Sequence, residues 1–251
     1  MQEQRRINLK VAYRIMAVRS RQQYVEKLLK DMGASEDIVM WDENRNGCMW
    51  NAYRTWGEYK NLPSDVTHMC VISDDAEIVN NFCEIVDECV NRFPDVIWTF
   101  YSNELSYKKK PIDTPYVKLL SYNIRGIAFL MPIGLVQGYL DFYDKYLRRY
   151  DYPRDDATCR IYALMKDIPV MTTIPNLVRS YEIPSEMKTH GITHNSDCWQ
   201  GVNIDVEQFR QNKYQCVSCA KKSALETHLP KGNDFDPVIK MVYEKRKKAW
   251  K

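Results

Sequence analysis

The amino-acid sequence predicts an α/β fold built on a mostly parallel central sheet. Short apolar segments of strand character alternate with longer segments of helical periodicity, and this alternation is typical of parallel βαβ units. The chain has 251 residues, of which 45% are hydrophobic and 27% charged, as in ordinary globular proteins. Its longest apolar runs, such as GIAFLMPIGLV, fall short of the roughly 20 residues that a membrane span needs.

The first half of the chain carries the clearest alternation. The expected strands are NLKVAYRIMAV, DIVMW, VTHMCVI and DVIWTFY, and the expected helices between them are SRQQYVEKLLKDMG, CMWNAYRTWGEYK and AEIVNNFCEIVDECVNRF. The first helix has Tyr24, Leu28 and Met32 on one face and ends at Gly33. Pro94 closes the third helix, and the turn DENRNG follows the second strand.

The second half is less regular. A polar loop, YSNELSYKKKPIDTPYV, precedes a buried strand, RGIAFLMP. Helices are then expected in IGLVQGYLDFYDKYLRRY and in DYPRDDATCRIYALMKD, followed by a last strand and turn in IPVMTTIPNLV. Asp155 and Asp156 open the second of these helices, where the helix dipole favours acidic residues, so a structural role and a catalytic role both remain open.

Two adjacent aspartates, Asp74 and Asp75, stand where the third strand ends. Side by side they repel each other unless a positive charge lies next to them, and a divalent metal carrying phosphates would supply that charge. The alternative is that Asp74 is a turn residue and Asp75 caps the next helix. Because RSR and DENRNG follow the first two strands, and parallel strands end at one edge, the three polar segments predict a functional site there.

The cysteine content and the distribution of charge indicate the cellular compartment and the binding partners to be expected. The start of the chain, MQEQRRINLK, has no apolar segment typical of a secretory signal, so its eight cysteines are expected in a reducing compartment, the cytoplasm. The formal net charge is only +3, but a basic tail, Lys245–Lys251, and a lysine run, Lys108–Lys110, are typical of segments that meet phosphates.

A cluster of histidines and cysteines lies near the C-terminus. CxxC, together with a further cysteine and a histidine separated from it by three residues, is the ligand chemistry of a tetrahedral structural Zn²⁺. The expected zinc ligands are His194, Cys198, Cys216 and Cys219, and unligated thiols are the alternative. The sequence from residue 197 to 251 is therefore expected to form a small C-terminal extension.

Taken in order, the segments RSR, WDE, WNAYRTW, SDD, GIAFLMP, RDDA and PNLV resemble those of GT-A-fold glycosyltransferases, especially small ones encoded by bacteriophages. The similarity covers roughly residues 10 to 196 and lies in the order and spacing of the segments. It implies a Rossmann-like sheet with helices on both faces, and a catalytic domain over residues 1–196.

The resemblance also implies roles for individual residues. In that family a short acidic motif, usually Asp-any-Asp, holds Mn²⁺ or Mg²⁺ against the donor diphosphate; here the motif is SDDAE, which leaves open which carboxylate contacts the metal. The implied metal ligands are Asp75, Asp74 and His190, with His194 able to exchange roles with His190. The implied donor-binding residues are Arg19, Ser20, Arg21, Asp42, Trp50, Arg54 and Asp74. An inverting enzyme would need a general base, Asp156 or alternatively Asp155.

The expected function is metal-dependent transfer of a hexose or pentose from a nucleotide sugar, with a UDP-sugar favoured. The first choice of acceptor is a hydroxymethylated pyrimidine in phage DNA, and a polysaccharide or protein acceptor is the alternative. For DNA, Tyr101, Tyr107 and Tyr116 are candidates to stack on an extruded base, with ordinary loop packing as the alternative explanation. A non-catalytic, zinc-containing nucleic-acid-binding protein is the alternative from another class.

Overall fold

The computed structural model describes residues 9–101, 116–120, 126–150, 154–181, 183–184, 199, 201–207 and 217–218. The strands are β1 (Val11–Ala17), β2 (Val39–Trp41), β3 (His68–Ser73), β4 (Ala76–Ile78), β5 (Ile97–Thr99), β6 (Tyr116–Leu120), β7 (Ala128–Pro132), β8 (Val170–Ile174), β9 (Val178–Ser180) and β10 (Val217–Ser218). The α-helices are α1 (Gln22–Met32), α2 (Cys48–Gly57), α3 (Phe82–Arg92), α4 (Ile133–Tyr146) and α5 (Asp155–Lys166).

Within this part of the chain, eight strands form one sheet in the order β10-β6-β8-β5-β7-β3-β1-β2. β1 pairs in parallel with β2 and β3, and β5 pairs in parallel with β8. β7 lies antiparallel between β3 and β5, so β1, β2, β3, β5 and β8 all run the same way. The predicted α/β fold with a mostly parallel central sheet is confirmed.

Helices cover both faces of the sheet, as expected. On one face, α1 and α3 bury Leu28 and Phe82 against strand residues such as Ile72. On the other face, α2, α4 and α5 pack around Trp56, which is fully buried and has its ring 5.1 Å from that of Phe129. Alternate residues of β3 enter the two clusters, which is why this strand is apolar along its whole length.

The segment after the acidic pair differs from the prediction. A single helix was expected from Ala76, but residues 76–78 form β4, which pairs antiparallel with β9. Asn81 then adopts a left-handed conformation (φ 59°), and α3 begins only at Phe82. The expected polar loop likewise gives way to β6 at Tyr116, and β9 and β10 were not expected.

Residues beyond the expected domain boundary at 196 contribute to the described fold. Ile204 and Val206 belong to the core cluster that includes α1 and α3. The N–H of Asn80 donates to the carbonyl of Val202 at 2.7 Å, and β10 pairs with β6. The division of the chain at 196 stays a prediction.

The described residues bear on two expectations from composition. Cys48, Cys70, Cys83, Cys89 and Cys159 are free thiols. Among the helices of the described part, none combines the length and the apolar character that crossing a membrane would require.

Gly33 ends α1 as expected, in a left-handed conformation (φ 63°) that an L side chain adopts at a cost of about 1–2 kcal/mol. Gly33→Ala should lower the free energy of unfolding by about that amount in urea denaturation. Gly57→Ala is the matched control, since Gly57 has helical dihedrals and open space around it, and alanine there should be stabilising by about 0.5–1 kcal/mol. Equal effects at the two positions would contradict the backbone assignment.

Candidate functional site at the carboxyl ends of the strands

The three N-terminal parallel strands end at one edge of the sheet. Backbone hydrogen bonds continue just beyond them: the N–H of Asp74 donates to the carbonyl of Met16 at 3.0 Å, and the N–H of Asp42 donates to that of Ala17 at 2.7 Å. The polar segments that follow β1, β2 and β3 are therefore neighbours, as the sequence predicted.

The cation next to the acidic pair is Arg21. Its Nη1 lies 2.7 Å from Oδ1 of Asp74 and 3.4 Å from Oδ2 of Asp75. Its Nη2 donates to the carbonyl of Pro184 at 2.9 Å. With 11% of its side chain exposed, Arg21 places a buried positive charge between two like charges that would otherwise repel each other.

A short 3-10 turn over residues 19–21 brings Arg21 to this position. The turn directly follows β1 and is closed by a hydrogen bond from the N–H of Arg21 to the carbonyl of Val18, at 3.0 Å. The N–H of Val18 donates to Oδ2 of Asp74 at 2.9 Å. The end of β1 thus supplies both a charged and a neutral donor to the end of β3.

Asp74 accepts from these two donors and is shielded from solvent. Its Oδ1 accepts from Arg21 and its Oδ2 from Val18, and the residue is only 4% exposed. Burial raises the pKa of Asp74 to about 6 even though the Arg21 charge acts to lower it. Asp74 is therefore a carboxylate that holds two strand ends together.

Asp75 is bound more loosely and reaches solvent. Its Oδ1 accepts from the hydroxyl of Ser73 at 2.7 Å, and its Oδ2 accepts from the hydroxyl of Ser180 at 3.2 Å. Its side chain is 20% exposed. A carboxylate has about four acceptor positions, so Asp75 keeps capacity for a further ligand.

Four of the residues expected to bind the donor form two groups. Arg19 and Ser20 are exposed, and Arg19 pairs with Glu43 at 2.7 Å while its guanidinium lies 4.1 Å from the ring centroid of Trp41. Arg21 and Asp74, in contrast, are buried and pair with each other. Arg19 and Ser20 face solvent beside the strand ends, and the buried pair of Arg21 and Asp74 connects the ends of β1 and β3 inside the fold.

Asp42 organises the loop that follows β2. Its Oδ1 accepts from the side-chain amide of Asn46 at 2.8 Å, and its Oδ2 accepts from the N–H of Gly47 at 3.1 Å. Asp42 is 3% exposed, and α2 begins immediately after Gly47. Both contacts of the Asp42 carboxylate lie within the loop between β2 and α2, so Asp42 stabilises the shape of that loop.

Arg54 and Trp50 lie on α2, one turn apart. The guanidinium of Arg54 donates to the carbonyl of Trp41 at 2.6 Å and to Oδ1 of Asn51 at 3.1 Å, so Arg54 braces α2 against β2. Its guanidinium carbon lies 4.9 Å from the ring centroid of Trp50. Trp50 is 45% exposed, which makes it the large hydrophobic side chain that the described part of the chain leaves open to solvent.

The second acidic pair opens α5, and its two members have different surroundings. Asp155 is 4% exposed, and burial together with the Asp156 charge raises the pKa of Asp155 to about 7. Asp156 has 13% of its side chain exposed and accepts from Arg154, with Nη2–Oδ2 at 3.1 Å. Of the two, Asp156 is the carboxylate that reaches solvent.

Several residues that the sequence singled out lie outside the described residues. They are His190, His194, Cys198, Cys216, Cys219, Lys108–Lys110, Tyr107 and Lys245–Lys251. Among the residues that the structure does describe, no three histidine, cysteine, aspartate or glutamate side chains form a group that could hold a metal ion. The structural zinc site and the role of His190 stay predictions.

Sequence reasoning missed part of the shell around the acidic pair. Ser73 adjoins the pair in the chain, so its hydroxyl could have been suspected from the segment SDD. Ser180 and the carbonyl of Pro184 come from more than 100 residues further along, and no local pattern points to them. Only the pairing of β4 with β9 brings Ser180 to Asp75.

Comparison with known proteins gives distant structural likenesses, two of which are described below. The sequence matches no protein-family model and no curated protein. The crystal structure of A197 from STIV has 10% sequence identity and a TM-score of 0.43, covering 71% of this chain and 87% of that chain. The inositol-1-phosphate CTP transferase from T. maritima has 12% identity and a TM-score of 0.40, covering 70% and 71%. At identities this low, the function is inferred from the chain's own site.

Arg21→Met should lower the free energy of unfolding by about 3–5 kcal/mol, because it leaves the Asp74 charge buried without its partner. Arg19→Met is the matched control, two residues earlier in the same turn. Arg19 pairs with Glu43 at the surface, where ion pairs contribute little, so this variant should unfold nearly as the wild type does. Urea denaturation at pH 7.5 measures both, and two variants of equal stability would contradict the assignment.

Proposed function

We propose that the protein is a glycosyltransferase that moves a sugar from a nucleotide-sugar donor to a hydroxyl acceptor, with Mn²⁺ or Mg²⁺ held at Asp75. The observation that carries this proposal is the state of Asp75, a carboxylate that reaches solvent and has acceptor positions left, beside a buried Asp74 that pairs with Arg21. It lies at the carboxyl ends of parallel strands, where α/β sheets bind their ligands.

The chemistry of the donor set fits a hard divalent cation. Mg²⁺ is usually held by one or two carboxylates together with waters and substrate phosphates, so a dedicated cluster of protein ligands is not required. Asp75 would be the carboxylate ligand, because its side chain is 20% exposed whereas that of Asp74 is 6% exposed and lies against the buried Arg21. His190 remains the further ligand that the sequence resemblance proposes. The bound cation would stabilise the negative charge that develops on the departing diphosphate.

Arg21 assists the same step from inside the fold. Its guanidinium lies 3.4 Å from Oδ2 of Asp75, so it attracts that carboxylate and holds it in place while Asp75 binds its ligand. The hydroxyls of Ser73 and Ser180 fix the two oxygens of Asp75 from either side. A ligand-binding carboxylate held in this way loses little conformational entropy on binding.

Asp156 is the residue we propose as general base. In an inverting transfer, the bond from the anomeric carbon to the diphosphate oxygen breaks, a bond to the acceptor oxygen forms, and the acceptor hydroxyl proton passes to the base. Asp156 reaches solvent, and its partner Arg154 is 41% exposed, so an acceptor hydroxyl can replace that contact. A retaining transfer would not need this base.

The exposed surface after β1 and β2 is the proposed nucleotide-binding region. Trp50 offers an open indole face, and Arg19 adds a positive charge close to Trp41. Aromatic faces and guanidinium groups are suited to stacking on a nucleobase and pairing with phosphate. Asp42 already accepts hydrogen bonds from Asn46 and Gly47 in its own loop, so a hydrogen bond from the base or ribose would be a third one. A UDP-sugar is the favoured donor, on the basis of the sequence resemblance.

A thermal-shift screen of nucleotide sugars, with and without Mn²⁺, tests the donor site. At a donor concentration of about 100 times Kd, binding should stabilise the protein by about 2.7 kcal/mol, a shift in Tm of about 5–10 °C. Asp75→Asn should lose the Mn²⁺-dependent part of the shift while keeping the fold, because Asp75 is not part of the core. Asp65→Asn, at an exposed carboxylate paired with Lys10, is the control and should keep the full shift. A full Mn²⁺-dependent shift in Asp75→Asn would remove the metal-site proposal.

For the acceptor we propose a hydroxymethylated pyrimidine in DNA. The supporting features are Lys108–Lys110, the basic tail and the sequence resemblance, and Tyr101, Tyr107 and Tyr116 are proposed to stack on an extruded base. Tyr101 is buried in the core cluster, which makes it unsuited to stacking on a base. A polysaccharide or protein acceptor is the alternative within the same enzyme class.

If DNA is the acceptor, affinity should fall steeply with salt, because binding to phosphates releases counterions. Replacing Lys108–Lys110 with alanine should reduce the slope of log K against log salt by about 1 for each phosphate that these lysines neutralise. Replacing the exposed Lys30 and Lys60 with alanine is the control and should leave the slope unchanged. Sugar transfer to glycans alone would overturn the proposal of a DNA acceptor but not the assignment as a glycosyltransferase. Salt-dependent DNA binding without any nucleotide-sugar binding would favour a non-catalytic nucleic-acid-binding protein.

A further inference from the structure

The carboxyl group of Asp155 lies where three elements meet. Asp155 is the first residue of α5, and Cys48, the first residue of α2, donates its S–H to Oδ1 of Asp155 at 3.4 Å. Gly126, just before β7, packs on the same group: a Cβ at Gly126 would lie 3.1 Å from Oδ1 and 3.7 Å from Oδ2. The carboxyl group thus fills the junction between two helix N-termini and the start of a central strand.

This junction adjoins the end of β3. The residue after Gly126, Ile127, accepts a hydrogen bond through its carbonyl from the N–H of Ser73, at 2.8 Å. Ser73 in turn donates its hydroxyl to Asp75. A displacement of Asp155 would therefore be transmitted to Asp75 through Gly126, Ile127 and Ser73.

Nothing in the described part of the chain satisfies the second oxygen of Asp155. Oδ2 is buried and lacks a hydrogen-bond partner there. An ionised carboxylate in such a position keeps almost none of its hydration, whereas a neutral carboxylic acid loses far less on burial. The geometry therefore favours the protonated form of the group.

The titratable groups that face Asp155 do not supply a compensating positive charge. They are Cys48 from α2, Tyr139 from α4, and Asp156 and Cys159 from α5. The backbone N–H groups of the first turn of α5 and the S–H of Cys48 act to lower the pKa of Asp155, but burial outweighs them. Burial and the Asp156 charge together raise the pKa of Asp155 to about 7, in agreement with the contacts.

We propose that Asp155 is a positioning residue that is a neutral carboxylic acid up to about neutral pH and holds the first turns of α2 and α5 against Gly126. In this role it does not touch the acceptor, and it acts on the reaction through Asp156 and Ser73. The part of the inference that concerns catalysis rests on the proposed function. The protonation state itself can be measured without any transferase activity.

The sign of the pH effect on stability follows from the raised pKa. The unfolded chain releases the Asp155 proton near pH 4 and the folded protein only near pH 7, so the stability that this group contributes is fully present below about pH 4 and is lost progressively up to about pH 7. Asparagine at this position does not titrate. The ratio of the unfolding equilibrium constant of wild type to that of Asp155→Asn should therefore grow by up to about tenfold for each pH unit in this window.

Infrared difference spectra between pH 6 and pH 8.5, recorded on the full chain, provide the direct test. Because the pKa of Asp74 is about 6, Asp74 also loses a proton in this range, so the wild type should lose a larger protonated-carboxyl C=O band than Asp155→Asn does. Asp141→Asn, at an exposed carboxylate of α4, should keep the wild-type spectrum. Cys48→Ala removes the S–H donor that favours ionisation, and it should move the midpoint of the band to higher pH. This variant decides the matter if Asp155→Asn does not fold.

Two results would overturn the proposal. One is a C=O band of equal amplitude in wild type and Asp155→Asn, and the other is a midpoint that does not move in Cys48→Ala. If transfer is detected, its rate in the wild type should fall above about pH 7, and Asp155→Asn should extend the plateau to higher pH. An enzyme whose pH profile is the same in both proteins would show that Asp155 has a purely structural role.

Discussion

The buried ion pair between Arg21 and Asp74 is the interaction on which the candidate site depends. It joins the segment after β1 to the segment after β3, and Arg21 extends the connection to the carbonyl of Pro184. An arginine suits this position because its planar guanidinium offers several donors in fixed directions, so one side chain can serve two acidic groups and a carbonyl. The cost of burying both charges is offset only while both partners are present.

This interaction explains how the chain tolerates two adjacent aspartates at a strand end. The two carboxylates have different roles: Asp74 is buried and accepts from Arg21 and Val18, and Asp75 keeps contact with solvent. The positive charge that the sequence requires beside the pair is supplied in part by the protein itself. A divalent cation would therefore bind to Asp75, whose position is already fixed by its hydrogen bonds and by Arg21.

The long periodic elements were predictable from the sequence. β1, β3, α1 and α2 follow their hydrophobic patterns closely, because burial against the sheet is what produces those patterns. β4 was not predictable: its three residues continue the apolar spacing of α3, and they become a strand only by pairing with β9, about 100 residues away. Tertiary pairing here overrides local propensity.

The same distinction applies to the site. That polar segments after β1, β2 and β3 would meet at one edge followed from strand direction alone. Strand direction does not predict which arginine reaches the acidic pair, because Arg21 and Arg54 both lie near the strand ends in sequence. The turn over residues 19–21 is what points Arg21 inward. Asp155 and Asp156 are likewise neighbours in sequence, and their difference in burial depends on how α5 meets α2 and Gly126.

Double-mutant cycles on the free energy of unfolding test the central claim most directly. The cycle between Arg21→Met and Asp74→Asn should give a coupling energy of about 1–3 kcal/mol, because the two groups form a short contact in a buried site. The cycle between Arg21→Met and Asp75→Asn should give a clearly smaller value, since Asp75 lies further from the guanidinium and is partly hydrated. Coupling that is equal in the two cycles, or absent from the first, would contradict the division of roles between Asp74 and Asp75.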